Sequence, residues 1–195
     1  MGLSIHYSGR LKDERKIDEL IEEISDICKS LQWHYTIIRE PIGDKLNGVC
    51  FSPAKSEPIC FTFLPGGRLC SPLNLMNKEI YDSDQLDKEL LYTASTKTQY
   101  AGMDAHVAII KLLRYLREKY FEEFELMDEG YYWETNDLNK LNDQFSRYEF
   151  AINTFTEALS NMPKLTGESA SSIADRIEEM LKKKFDNNMD EQEDI

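Results

Sequence analysis

Apolar residues along this chain follow two rhythms, a two-residue alternation and a three-and-four stepping, and their order predicts the elements. Leu3, Ile5 and Tyr7 alternate with Ser4, His6 and Ser8, the period of a half-buried strand. From Asp13 to Leu31 the residues Ile17, Leu20, Ile21, Ile24, Ile27, Cys28 and Leu31 share one helical face. Trp33, Tyr35 and Ile37 read as a second strand, Val49 and Phe51 as a third, and Ile59, Phe61 and Phe63 as a fourth. Pro41 to Asp44 reads as a turn, and Pro65-Gly66-Gly67 turns the chain into a short strand ending near Pro72. Asp84 to Tyr92 is expected to be a short helix, and Thr93 to Thr98 extended or irregular.

Further on, a helix is expected from Asp104, as its N-cap, to Tyr120. Its polar residues Asp104, Lys111 and Glu118 occupy one narrow stripe, and nearly everything opposite is apolar. Phe124 to Met127 reads as a strand. Leu138, Leu141, Phe145, Tyr148, Ile152, Phe155, Leu159 and Met162 then step by three and four without a break, up to Pro163.

Clustered short strands with tight turns favour an α+β two-layer sandwich. Its sheet would be antiparallel or mixed with helices on one face, loosely ferredoxin-like, and a helical extension would follow. The expected division is an α+β domain over 1–136 and a long amphipathic helix over 137–163. A small-residue linker over 164–172, a short amphipathic helix over 173–185 and a disordered acidic tail over 186–195 complete it.

Composition narrows the function classes. A net charge of −13 over 195 residues argues against nucleic acid and anionic membranes, both of which attract Lys and Arg. No apolar run reaches the roughly 18 residues of a membrane span, and no signal peptide is read in Met1 to Arg10. Cys28, Cys50, Cys60 and Cys70 show no CxxC pairing and read as reduced core residues. The expected location is therefore cytoplasmic.

Two stretches flank the apolar helix, 96–106 and 128–135. A strand that follows a helix after a short turn runs back along it, so the second stretch should return to the helix start, beside the first. His106 points coreward, where it would be a general base tuned by Asp128, Glu129 or Glu134, or a core histidine bonded to a carbonyl. Lys97, Thr98, Gln99 and the first helix amides could hold an anion, although no Gly-rich phosphate loop is present. Tyr131, Tyr132 and Trp133 add flat amphipathic surface. The candidate ligand site is thus Lys97, Thr98, Gln99, His106, Asp128, Glu129, Trp133 and Glu134.

His6 and His34 share a parity on the first two strands, but no ligand spacing supports a metal, and no cofactor is implied. No GxSxG, and no cysteine with an evident histidine partner, marks a nucleophile. Three functions remain open. One is a small-molecule or peptide binder at the end of the apolar helix. Another is a protein-interaction module of inhibitor, immunity or scaffold type. The third is an enzyme using His106. The Leu138–Leu159 stripe packs either within the chain or against a second copy as a homodimer.

Overall fold

The computed structural model describes residues 3–39, 46–81 and 91–160, together with 169, 171–172, 174–176 and 178–179. Its contacts divide the chain into two compact units, 1–145 and 146–195.

The first unit is α+β. Strand β1 (Ser4–Leu11) leads through a 3-10 turn (Glu14–Lys16) into α1 (Ile17–Leu31). Asp13 caps that turn by accepting from the Arg15 amide, and Leu20, Ile21, Ile24 and Cys28 bury the inner face of α1. Then come β2 (His34–Arg39), β3 (Asn47–Ser52), β4 (Ile59–Phe63), α2 (Pro72–Tyr81) and β5 (Ala94–Lys97). They are followed by α3 (Met103–Tyr120), β6 (Phe121–Asp128), the single turn α4 (Tyr132–Thr135) and α5 (Leu138–Ser160), which crosses the unit boundary.

The strands form two antiparallel sheets instead of one, in the orders β5-β1-β6 and β2-β3-β4. The Gly66-Gly67 turn, where both glycines hold positive φ (87° and 73°), links them: Arg68 bridges to Arg10 of β1 and Leu69 to Phe63 of β4. That turn swings residues 67–69 alongside the second half of β1, where Leu11 N–H donates to Gly67 O and Leu69 N–H to Gly9 O, both at 3.0 Å. The first half of β1 pairs with β5 instead. The Tyr7 hydroxyl adds a second stitch, accepting from the Cys60 amide at 2.9 Å and donating to its carbonyl at 3.1 Å.

One core joins α1, α3 and the inner faces of both sheets through Ile5, Tyr7, Leu20, Ile24, Val49, Phe61, Ile110 and Leu113. At the other face, His6, Ser8, Ser95, Lys97, Glu125 and Met127 are half-buried or exposed.

Several expectations need correction. Gly102 (φ 88°), not Asp104, occupies the N-cap of α3, since only a residue without a Cβ turns there at little cost. The 121–123 segment is strand, so β6 follows α3 with no intervening turn. The short strand after Gly67 reduces to bridges at Arg68 and Leu69, and α2 follows it. Of the two alternatives for residues 93–98, the extended one holds, as strand β5. Cys50 and Cys60 are not reduced core residues: they are joined by a disulfide, while Cys28 and Cys70 take no part in it and are buried. His6 and His34 sit in different sheets. Helical backbone appears at 171–172, 174–176 and 178–179. The expected turn at 41–44, most of the 84–92 helix, the seam's end at Met162 and the 186–195 tail lie outside the described residues.

Candidate functional site

Length matching brings the two polar stretches together. Eighteen helical residues in α3 rise about 27 Å, and the eight residues of β6 extend about 26 Å. Because β6 leaves α3 directly and runs back along it, Asp128 arrives beside the first turn of α3. On the other side of β1, Thr98 follows the end of β5 and donates its amide to Leu3 O at 3.0 Å.

A buried polar chain results. Thr98 Oγ1 lies 2.7 Å from His106 Nδ1, and His106 Nε2 lies 3.1 and 3.2 Å from the two Asp128 oxygens. Asp128 also accepts from the amides of Gly130, Tyr132 and Trp133 at 2.7, 2.9 and 3.0 Å. An ionised carboxylate only accepts, so Nε2 carries a proton; in the neutral ring Nδ1 then accepts from the Thr98 hydroxyl. Burial alone would raise the Asp128 carboxyl. The hydrogen bond from His106, its charge when protonated, and the amides of Trp133 and Gly130 outweigh that, and the group is held below the usual carboxylate value.

The surroundings are packed. The His106 ring meets Phe145 edge-on at 5.9 Å, and Leu141 is fully buried. A Cβ on Gly130 would lie 2.6 Å from Leu141 Cδ1 and 3.0 Å from both Asp128 Oδ1 and His106 Nε2. Thr98, His106 and Asp128 are exposed by 0, 0 and 2%.

The other expected site residues disperse. Lys97 pairs with Ser4 and so points to the outer sheet face, whereas Thr96, paired with Ile5, points inward. Phe124 pairs with Gly9, on the inward parity of Ile5, and Trp133 packs on Phe124 at 6.1 Å. Lys97 and Trp133 therefore lie on opposite sides of the sheet, and the expectation of one shared surface fails. Glu129 accepts from the Ser4 amide at 2.7 Å and stands 3.9 Å from His6. Gln99 forms part of a 3-10 turn, with its Oε1 buried and unbonded among the described residues. Glu134 is exposed. Trp133 is flanked by the guanidinium groups of Arg114 and Arg117, at 5.4 and 5.3 Å from its ring centre. Arg114 also donates to the Tyr132 and Trp133 carbonyls and to Asn136, fastening α4 to α3.

Sequence reasoning passed over two residues here. Gly130 lets the turn approach His106. Glu57 ties β5 by accepting from the Lys97 amide and, at its carbonyl, from Thr96 Oγ1. Among the described residues, no His, Cys, Asp and Glu side chains form a group able to hold a metal, and no helix is long and apolar enough to cross a membrane.

A different feature lies between α1 and α3. A groove of about 660 Å³ is lined by Ile27, Leu31, Tyr115 and Tyr120, with Glu19, Glu22, Glu23 and Asp26 around it and Lys119 as the one cation among its lining residues. Glu23 accepts from the hydroxyls of Tyr115 and Tyr120 and from Lys119. Burial raises its carboxyl less than these donors lower it, so it stays ionised below the usual range. No known protein family, curated protein or solved structure matches the chain.

Proposed function

We propose that this chain is a cytoplasmic protein-interaction module whose α1–α3 groove receives a basic amphipathic segment of a partner protein. The observation that carries the reading is the groove. Leu31 and Tyr115 are exposed by 48 and 44%, an apolar floor that a partner would remove from water. Of the four carboxylates around it, Glu19 pairs with Lys16 and Lys119, Glu23 with Lys119 and Asp26 with Lys29. Four carboxylates against three lysines leave the rim net acidic, and the whole chain carries −13, which favours and steers a cationic segment. A helix laid in an apolar groove is a common recognition mode.

The other readings place binding or chemistry at His106. A general base must reach the proton it takes, and the Thr98–His106–Asp128 chain is enclosed and spends its polar atoms on itself. Its support is for holding β5, α3 and α4 in register.

A fluorescein-labelled amphipathic Leu/Lys helix peptide tests the proposal by anisotropy. The expected result is saturable binding that weakens with salt and disappears in the double variant Glu22→Lys, Asp26→Lys. Equal affinity in that variant, or no binding to the native chain, refutes it. Fractionation of cells producing the tagged chain tests the cytoplasmic setting.

A second reading concerns the α5 stripe. Leu141 is buried and Phe145 packs on the core of the first unit, so these two stripe residues are committed within the chain. In the second unit the stripe residue Phe155 is exposed by 37%. That favours a homodimer formed through Tyr148, Ile152 and Phe155. Light scattering should then show a dimer that polar replacements at Ile152 and Phe155 convert to a folded monomer. A native chain already monomeric at working concentrations ends this reading.

A further inference from the structure

The disulfide stands apart from both features above. Cys50 and Cys60 are directly opposed residues of β3 and β4, with Cα atoms 4.1 Å apart. Strand alternation turns Val49, Phe51, Ile59 and Phe61 into the core and leaves the two cysteines, both half-buried, on the opposite face. On that face the pair lines a cavity of about 480 Å³, with Tyr7, Ile38, Pro58 and Leu73 as apolar wall and Glu57 and Ser95 as polar lining.

We propose that this cavity is a thiol–disulfide exchange site for a low-molecular-weight thiol. Access governs exchange as much as thiolate chemistry does, and here both half-buried cysteines line a cavity of about 480 Å³. The bond closes only a short loop, ten residues in sequence, between strands already held by their ladder. Opening it therefore leaves β3 and β4 paired. The Tyr7 hydroxyl, bonded to both the amide and the carbonyl of Cys60, keeps that residue's backbone in place through the reaction. Cys28 and Cys70 are fully buried, and burial pushes the Cys28 thiol up to about 11, so exchange is confined to the half-buried pair.

The chemistry balances with two equivalents of the small thiol. The thiolate of the first attacks one cysteine sulfur, the S–S bond breaks, and the departing cysteine thiolate takes a proton. A second thiolate attacks the mixed disulfide at the small molecule's sulfur. It releases the other cysteine as a thiol and leaves the small molecule as its own disulfide. The protein pair is reduced by two electrons and the small thiol is oxidised by two.

The test uses the full chain purified without reductant, with reduced glutathione as probe and peptide mass mapping as readout. Under native conditions a mixed disulfide on Cys50 or Cys60 is expected first. Two newly alkylatable thiols should follow, with Cys28 and Cys70 unreactive until denaturation. Cys60→Ser leaves Cys50 without its partner, so oxidised glutathione should form a persistent adduct there. Leu73→Trp, which narrows the cavity at an exposed position, should slow exchange several-fold without affecting the fold. Three results overturn the proposal. One is a bond that opens only in denaturant. Another is an unchanged rate in Leu73→Trp. The third is a purified chain with both thiols free that oxidised glutathione cannot close.

Discussion

Replacing Asp128 by Ala removes the acceptor on which four donors end: His106 Nε2 and the amides of Gly130, Tyr132 and Trp133. Each buried donor left unpaired costs about 1–3 kcal/mol. The Trp133 amide belongs to a half-buried residue and can regain water, so the total should sit near the low end, at about 4 kcal/mol. That agrees with the roughly 3–5 kcal/mol lost when one partner of a buried pair is removed. Against a total stability of about 5–15 kcal/mol, this is a quarter or more. Urea unfolding followed by tryptophan fluorescence reads the right region, because Trp33 and Trp133 both belong to the first unit. With a slope of about 2 kcal/mol per molar urea, the midpoint should fall by about 2 M at unchanged slope. His106→Ala should cost less, about 1–3 kcal/mol, and the two substitutions should combine non-additively because they share one network. A loss below about 0.5 kcal/mol for Asp128→Ala, the size of an ordinary surface substitution, would refute the reasoning.

Because Asp128 is depressed in the folded state, its contribution is complete above the unfolded carboxyl value of about 3.9 and disappears as pH falls through the lower folded value. The stability gap between native protein and Asp128→Asn should therefore narrow below about pH 4; a gap constant with pH contradicts this. Gly130→Ala places a methyl 2.6 Å from Leu141 Cδ1 and should cost about 1–3 kcal/mol by overpacking, seen as a lower Tm in calorimetry. Lys97→Ala, on the exposed outer face, should shift stability by no more than about 0.5 kcal/mol in the same urea assay.

Periodicity located the core helices and most strands because burial on one face is written directly into residue spacing. It also brought the 96–106 and 128–135 stretches to one end of α3. What failed was parity. Reading residues 93–98 only as extended or irregular, without a register, left open the alternation of β5, which sends Thr96 inward and Lys97 outward. Asp104 matches the residue preference of an N-cap, but the backbone turn falls at Gly102. Helix α2 begins with Pro72, a residue favoured at the first helical position, and that signal was there to be read. The disulfide demanded a register: Cys50 and Cys60 are equidistant from Lys55, whose left-handed backbone (φ 64°) lies in the loop joining β3 to β4. The α1–α3 groove was beyond sequence reasoning, since it depends on how two helices lie side by side.

The central claim is that recognition belongs to the α1–α3 groove and that the polar end of α3 is structural. Backbone amide NMR of the isotopically labelled chain, titrated with the Leu/Lys peptide, tests both halves at once. Shifts that saturate at Glu22, Asp26, Leu31 and Tyr115, with Thr98, His106 and Gly130 unmoved, are the result this account predicts. Shifts concentrated at Thr98, His106 and Gly130, with the groove silent, would contradict it.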